Sequence, residues 1–206
     1  MIIVVIGKGH VGRSIGEGWK NSGHQVSYGV RAPVARDEFE IVRAIAGADI
    51  VAIATPWDAV PDVCRAIGAD FNKIIIDCTN PVIMGAAGPV DKLGHILSSG
   101  EQVQNWCPKA VVFKTLNQTG FETLANAKLF AQKPMMLVTG DDVTKKPIVM
   151  QLVMDLGLDA VDAGPLSNSG RLEDFARLWM DLAFKRGLGR NFAFTLTKRL
   201  TEENTK

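Results

Sequence analysis

The sequence predicts a doubly wound α/β fold, and three observations carry that prediction. Short, near-continuous apolar runs alternate with longer helical patterns, a glycine-rich turn lies between the first run and the first helix, and the pattern becomes helical alone near residue 166. The runs fall at 2–6, 25–28, 49–54, 73–77, 110–113, 135–139 and 160–162. Most lack the two-residue alternation of a half-exposed strand. Strands buried on both faces look like this, so a parallel sheet covered by helices on each side is expected. Between the runs, 11–22, 34–46, 59–68, 119–127 and 145–156 read as helices.

The chain divides at the change of pattern. Residues 1–165 read as one nucleotide-binding domain, and 166–206 as a helical segment that packs on it or forms a dimer interface. In that segment Leu172, Phe175, Ala176, Trp179, Leu182 and Ala183 recur at three- and four-residue steps and make one apolar face. Gly187 and Gly189 break the helix, and Phe192, Phe194 and Leu196 read as opening a shorter one. The Leu172-to-Ala183 face, with Phe184, Phe192 and Phe194, exceeds what one small sheet edge needs to bury, so a homodimer is expected.

Composition removes several function classes. Apolar residues make up 47% and charged residues 22%, the balance of an ordinary globular protein. With a formal net charge of +1 and no basic cluster interleaved with aromatics, nucleic acid is not an expected partner. Cys64, Cys78 and Cys107 are odd in number and far apart, and His10, His24 and His95 form no pair at metal-ligand spacing, so no metal site is expected. The apolar start is too short for a signal peptide and no later run reaches membrane-spanning length, so the expectation is a reduced, cytoplasmic protein with no membrane partner.

The chemistry is carried by Gly7-Lys8-Gly9-His10-Val11-Gly12. A Gly-x-Gly-x-x-Gly run is weak by itself. Here a buried strand precedes it, a helix follows, and a second strand begins about a dozen residues later. Gly7 suits the tight turn, Gly9 the close approach of backbone to a pyrophosphate, and Gly12 the packing of helix on strand. The helix start then offers free N–H groups and a partial positive charge to the phosphates. The expected architecture is therefore Rossmann-type, and the expected ligand a dinucleotide.

Which dinucleotide is decided after the second strand. NAD-specific folds usually end that strand with an acid that accepts hydrogen bonds from the ribose. This one ends Tyr28-Gly29-Val30-Arg31-Ala32-Pro33, with no acid before Asp37. Arg31 stands where a 2′-phosphate would lie, and a planar guanidinium suits phosphate bidentately. Lys8 can add a second positive charge. NADP(H) is expected over NAD(H).

These residues resemble the NADPH-dependent reductases of the deazaflavin coenzyme F420 and their bacterial dinucleotide-binding relatives, with the cytosolic domain of the six-transmembrane ferric reductases as a further cousin. The resemblance rests on the glycine turn, Gly29-Val30-Arg31, Ala54-Thr55-Pro56-Trp57, Asp77-Cys78-Thr79-Asn80-Pro81 and Val112-Phe113-Lys114-Thr115-Leu116-Asn117. It continues through Asp162-Ala163-Gly164-Pro165-Leu166 and Leu182-Ala183-Phe184-Lys185-Arg186-Gly187-Leu188-Gly189-Arg190. It implies that Thr55, Pro56 and Trp57 line the dinucleotide, with Pro56 and Trp57 towards the nicotinamide side. Asn80 and Asn117, at the ends of two further strands, have carboxamides that can fix the nicotinamide amide. Two departures stand out: Val30 replaces a Ser or Thr common in the family, and Lys8 and His10 replace small or amide side chains.

No nucleophile, carboxylate pair or Ser/His/Asp arrangement is supported by spacing, so no catalytic residue is assigned. Hydride transfer between a nicotinamide and a flavin-like ring is the cofactors' own chemistry. The expected function is an NADP(H)-dependent oxidoreductase acting on a small-molecule redox acceptor, a flavin or F420-like deazaflavin. A non-catalytic NADP(H) redox sensor and a small imine or carbonyl reductase, with His10 as acid, are the alternatives. A hydroxyacid dehydrogenase of the phosphogluconate group would need a large helical domain after the sheet, and the roughly 40 residues here are too few.

Overall fold

The computed structural model describes residues 1–85, 88–93 and 97–199; His95 and the last stretch of the expected C-terminal segment, 200–206, lie outside the described residues. In chain order the elements are β1 (Ile2–Ile6), α1 (His10–Asn21), β2 (Gln25–Val30), β3 (Glu38–Glu40), α2 (Ile41–Ile45), β4 (Ile50–Ile53), α3 (Val60–Ile67) and β5 (Ile74–Asp77). There follow β6 (Val82–Gly85), β7 (Gly88–Asp91), α4 (Ser99–Trp106), β8 (Val111–Lys114), α5 (Phe121–Ala125), β9 (Met135–Gly140), α6 (Lys146–Asp155), β10 (Asp159–Asp162) and α7 (Ser169–Phe184).

Eight strands form one sheet in the order β10-β9-β8-β5-β4-β1-β2-β3, and β6 and β7 form a separate antiparallel hairpin. The chain leaves β1 for β2 and β3 at one edge, then returns to β4 on the other side of β1. The strand order therefore reverses between β1 and β4, where open α/β sheets bind ligands beyond their carboxyl ends. Helices cover both faces. Ile15 and Trp19 of α1, Leu124 of α5 and Val149, Leu152 and Val153 of α6 pack on one side. Val60, Val63, Cys64 and Ile67 of α3 pack on the other with Ala44 of α2 and Val103 of α4. β1, β4 and β5 are buried along almost their whole length, which is why they read as unbroken apolar runs.

Three expectations need correction. The sheet is not wholly parallel: β9 runs antiparallel to β8, in the register Phe113↔Gly140 and Lys114↔Thr139, and β10 pairs parallel with β9. Gly140 makes this pairing possible, since a Cβ there would lie 2.6 Å from Cε1 of the Phe113 ring. The helix expected over 34–46 is only α2. Glu38–Glu40 instead extends the sheet, with Tyr28↔Glu38 in register, and the Glu38 carboxylate accepts the N–H groups of Val34 and Ala35. Those bonds give the residues after Pro33 a turn in place of a helical ladder. Finally, no helix opens at Phe192. The chain forms no regular element there, and the Phe194 carbonyl accepts from Met135 N–H and the Phe192 carbonyl from the Trp179 indole.

Sequence reading missed α4. Its signal was present: Ser98 and Glu101 form a capping box, each side chain accepting from the other's backbone N–H. No helix among the described residues is long and apolar enough to cross a membrane.

Candidate functional site

A cleft of about 340 Å³ opens at the strand reversal, lined by Gly7, Lys8, Gly9, Val30, Arg31, Thr55 and Pro56 with Ile41, Ala59 and Val63. The glycine turn forms its floor. Gly7 has φ +96°, and a Cβ there would lie 2.7 Å from the Ala54 carbonyl oxygen. Gly12 is buried, and a Cβ would collide with the Gly7 carbonyl. Gly9 is different: a Cβ would meet no atom within 4 Å, and the residue lines the cleft. Space is thus kept above the turn, where a diphosphate would approach the backbone. Gly9 is also the N-cap of α1, with no side chain capping that end and no acid in the first turn. The free N–H groups and the helix dipole point to an anion. The turn and its surroundings fit a dinucleotide.

The other predicted residues divide into two groups. Arg31 is exposed at the end of β2, lines the cleft, and has no ion-pair or hydrogen-bond partner among the described residues. Arg36, which the sequence reading passed over, is exposed and likewise unpartnered on the same turn. Val30 is half-buried beside Arg31. Thr55 lines the cleft with its Oγ1 buried and without a protein partner, and Pro56 is exposed on the rim. Trp57 does not line the cleft; its indole stacks on Trp106, with ring centroids 5.7 Å apart, against the α3–α4 side of the core. Val11 packs against the core on the α1 side. His10 is exposed in the first turn of α1, its ring stacked on Phe121 at 4.4 Å.

Lys8 is not the free cation that the sequence suggested. Its Nζ lies 2.8 Å from Glu38 and 2.9 Å from Asp37, over the Tyr28 ring, and Lys20 holds the other Asp37 oxygen at 2.7 Å. The Lys8 ammonium and the two backbone N–H groups hold the Glu38 carboxyl down to about 2, and Lys20 and then Lys8 hold Asp37 at about 2. Both carboxyls are depressed, so their contribution to stability is present above their ordinary values and lost as pH falls towards 2. Lys8→Met should therefore flatten the loss of stability between about pH 4.5 and about pH 2, measured as the urea midpoint against pH. An unchanged slope would show that the pair contributes nothing to folding.

Asn80 and Asn117 are brought together at the ends of β5 and β8. Asn117 Nδ2 donates to Asn80 Oδ1 at 2.9 Å, and Asn80 Nδ2 donates to the Asn117 carbonyl at 2.8 Å. Asn117 is buried and Asn80 half-buried, so only Asn80 can meet a ligand directly.

With this geometry in place, comparison with known proteins shows what the chain is similar to. Residues 2–81 match the family model described as NADP oxidoreductase, coenzyme F420-dependent. Over that stretch the chain is similar to NADP-dependent oxidoreductases. A crystal structure from Arthrobacter sp. FB24, described as a candidate F420-dependent NADP-reductase, superposes with a TM-score of 0.86 at 28% identity and covers 95% of this chain and 99% of that one. The hypothetical protein SMa0349 of Sinorhizobium meliloti shares the fold, with a TM-score of 0.70 at 22% identity over 82% and 88% of the two chains. Rat metalloreductase STEAP3 is 22% identical over 178 residues, and this chain spans 35% of that relative's length.

The chain also carries a buried ionic cluster that sequence reading missed. Lys114 and Asp77 are fully buried, and Lys114 Nζ donates to Asp77 (2.9 Å), the Thr79 carbonyl (2.7 Å) and Ser99 Oγ (2.6 Å). Glu173 of α7 lies 3.5 Å from the same nitrogen and accepts from Ser99 N–H. Burial pushes the Glu173 carboxyl up, against the pull of Lys114. The cluster ties β5, β8, α4 and α7 together directly behind Asn80. Its signal was a lone charge at the end of each of two apolar strands, Asp77 and Lys114, which the register places side by side.

Proposed function

We propose that this oxidoreductase takes hydride from NADPH and delivers it to a flavin or to a deazaflavin such as coenzyme F420. The observation that carries this reading is the cleft that runs from the unpartnered Arg31, over the open Gly9 turn, to Thr55 and Pro56. Arg31, with Arg36 beside it, grips the 2′-phosphate. The first-turn N–H groups of α1 hold the diphosphate, Thr55 Oγ1 supplies a hydrogen bond along the wall, and Asn80 meets the nicotinamide carboxamide. When bound, NADPH supplies the hydride. The protein's task is to hold the two reacting rings at about 3–3.5 Å and keep water out.

Asp77 and Lys114, the charges at the ends of β5 and β8, are fully buried, so the polar groups left to meet a ligand there are the Thr55 hydroxyl and the Asn80 amide, which orient rings, rather than a positioned acid and base. That favours a ring acceptor over a carbonyl, which needs a proton donor. The description of the Arthrobacter protein supports the same acceptor class. Rapid-mixing oxidation of NADPH with FMN, FAD and F420 as acceptors should give turnover with at least one of them. Tight NADPH binding without acceptor-dependent oxidation would overturn the reading in favour of a redox sensor.

The same reading places the protein in the cytoplasm, where the free, buried Cys64, Cys78 and Cys107 stay reduced. A homodimer belongs to the same reading, but Leu172, Ala176, Trp179 and Ala183 of the expected face are buried within the chain, so the pairing falls to the exposed Leu178 and Phe184 of α7 and Leu188 beyond it. Light scattering at micromolar concentration should return twice the chain mass, and a monomer would refute the pairing.

A further inference from the structure

Behind Asn80 the side-chain amides form a chain with one polarity, and we propose that Gln118 sets it. Gln118, to which nothing in the sequence assigned a role, is a positioning residue for the nicotinamide carboxamide; this rests on the reading that Asn80 meets that group. The β8–β9 ladder ends at Lys114↔Thr139. Leu116 then takes a left-handed backbone, φ 61°, uncommon for a branched residue, and the chain turns so that Gln118 meets β9 with its side chain. Gln118 Oε1 accepts from Leu137 N–H at 2.9 Å, and Nε2 donates to the Leu137 carbonyl at 3.1 Å. A carboxamide clasping both groups of one backbone residue has a fixed orientation, because reversing it would face N–H with N–H and oxygen with oxygen.

The consequence passes down the chain. The second Nε2 proton of Gln118 goes to Asn117 Oδ1 at 2.9 Å. Asn117 must then present Nδ2 forward, and it donates to Asn80 Oδ1 and, at 3.4 Å, to the Leu172 carbonyl of α7. Asn80 in turn gives one proton to the Asn117 carbonyl. Gln118 and Asn117 are buried, so water does not scramble this order. Asn80, half-buried, keeps one N–H and one oxygen lone pair beyond these bonds, its nitrogen fixed by the Asn117 carbonyl and its oxygen by Asn117 Nδ2, whose own orientation is set from β9. A primary carboxamide carries the matching acceptor and donor. One wrong orientation would put like groups face to face.

Gln118→Glu keeps the size of the side chain but replaces the donor facing Asn117 by an acceptor, so Asn117 turns over and sets its Oδ1 against the Asn80 oxygen, and Asn80, still held at Nδ2 by the Asn117 carbonyl, loses the bond that fixes its oxygen. Affinity for NADPH should fall about tenfold, the equivalent of one misplaced hydrogen-bond pair, while affinity for 2′-phospho-ADP-ribose, which lacks the nicotinamide, should change by less than about twofold. Gln118→Met, which frees the polarity without adding a charge, should shift binding in the same direction. In an Asn80→Ala background neither substitution should have a further effect. If Asn80→Ala leaves NADPH affinity unchanged, the placement of the nicotinamide is wrong. If Asn80→Ala weakens binding and the Gln118 variants do not, the role of Gln118 is wrong, and equal losses for both ligands would reduce it to structural support. Exchange of the side-chain amide protons in the unsubstituted protein, followed by nitrogen-15 NMR, checks the network without any variant. Slow exchange at Asn117 and Gln118 is expected, and fast exchange at Asn117 would overturn the proposal.

Discussion

Lys114→Met should cost about 3–5 kcal/mol of folding stability at neutral pH, the usual penalty for removing one partner of a buried ion pair. The lysine side chain is 0% exposed, and it is the cation that faces both Asp77 and Glu173. Methionine fills the volume but leaves two carboxyls in a dry site. Asp77 would retain the Thr79 and Ser99 hydroxyls and the Thr79 N–H, which softens the loss but does not neutralise a charge. The sign with pH follows. Burial already pushes the Glu173 carboxyl up against the pull of Lys114, and without that cation it rises further above its value in the unfolded chain. A raised carboxyl loses stability as pH rises through its range, so the deficit should be largest above neutrality and should shrink towards pH 5. Urea unfolding at several pH values measures this. A loss below about 1 kcal/mol, as expected of an exposed pair, would show that the cluster is hydrated.

The same cluster marks where the sequence could and could not be read. β1, β4 and β5 were legible because burial on both faces leaves an unbroken apolar run, and the glycine turn was legible because the backbone itself demands glycine at Gly7 and Gly12. Features that depend on a partner distant in the chain were not. The strand at Glu38 exists because β2 lies beside it and because its carboxylate bonds Val34, Ala35 and Lys8; in isolation that stretch carries a helical pattern. The close pairing of β9 with β8 depends on Gly140 making room for Phe113 across the ladder.

The site divides along the same line. Arg31 and Thr55, just past strand ends, and Gly9, at the start of α1, line the cleft, and those positions were legible in the sequence. Trp57 could not, since only the fold shows Trp106 taking up its indole. Gln118 carries no sequence signal at all, because its role arises from Leu137 and Asn117 meeting it in space.

Arg31→Ala should weaken NADPH binding by about 10- to 150-fold, the loss of a charge-assisted hydrogen bond worth about 1.5–3 kcal/mol, and should barely change NADH. The structure makes this a sharper expectation than the sequence alone. Of the two cations that line the cleft beside the expected 2′-phosphate, Lys8 is held by Asp37 and Glu38, and Arg31 is not held by any described residue. Selectivity therefore falls mainly on one guanidinium, and Val30 beside it offers no hydroxyl to share the load. Arg36, on the same turn, has no partner among the described residues, so Arg31→Ala combined with Arg36→Ala should carry the loss further than either alone. Titration calorimetry with NADPH and NADH on the three variants separates these contributions. Equal losses for the two nucleotides would mean that Arg31 supports the turn rather than the phosphate, and Lys8 would then have to leave its carboxylates to meet the ligand.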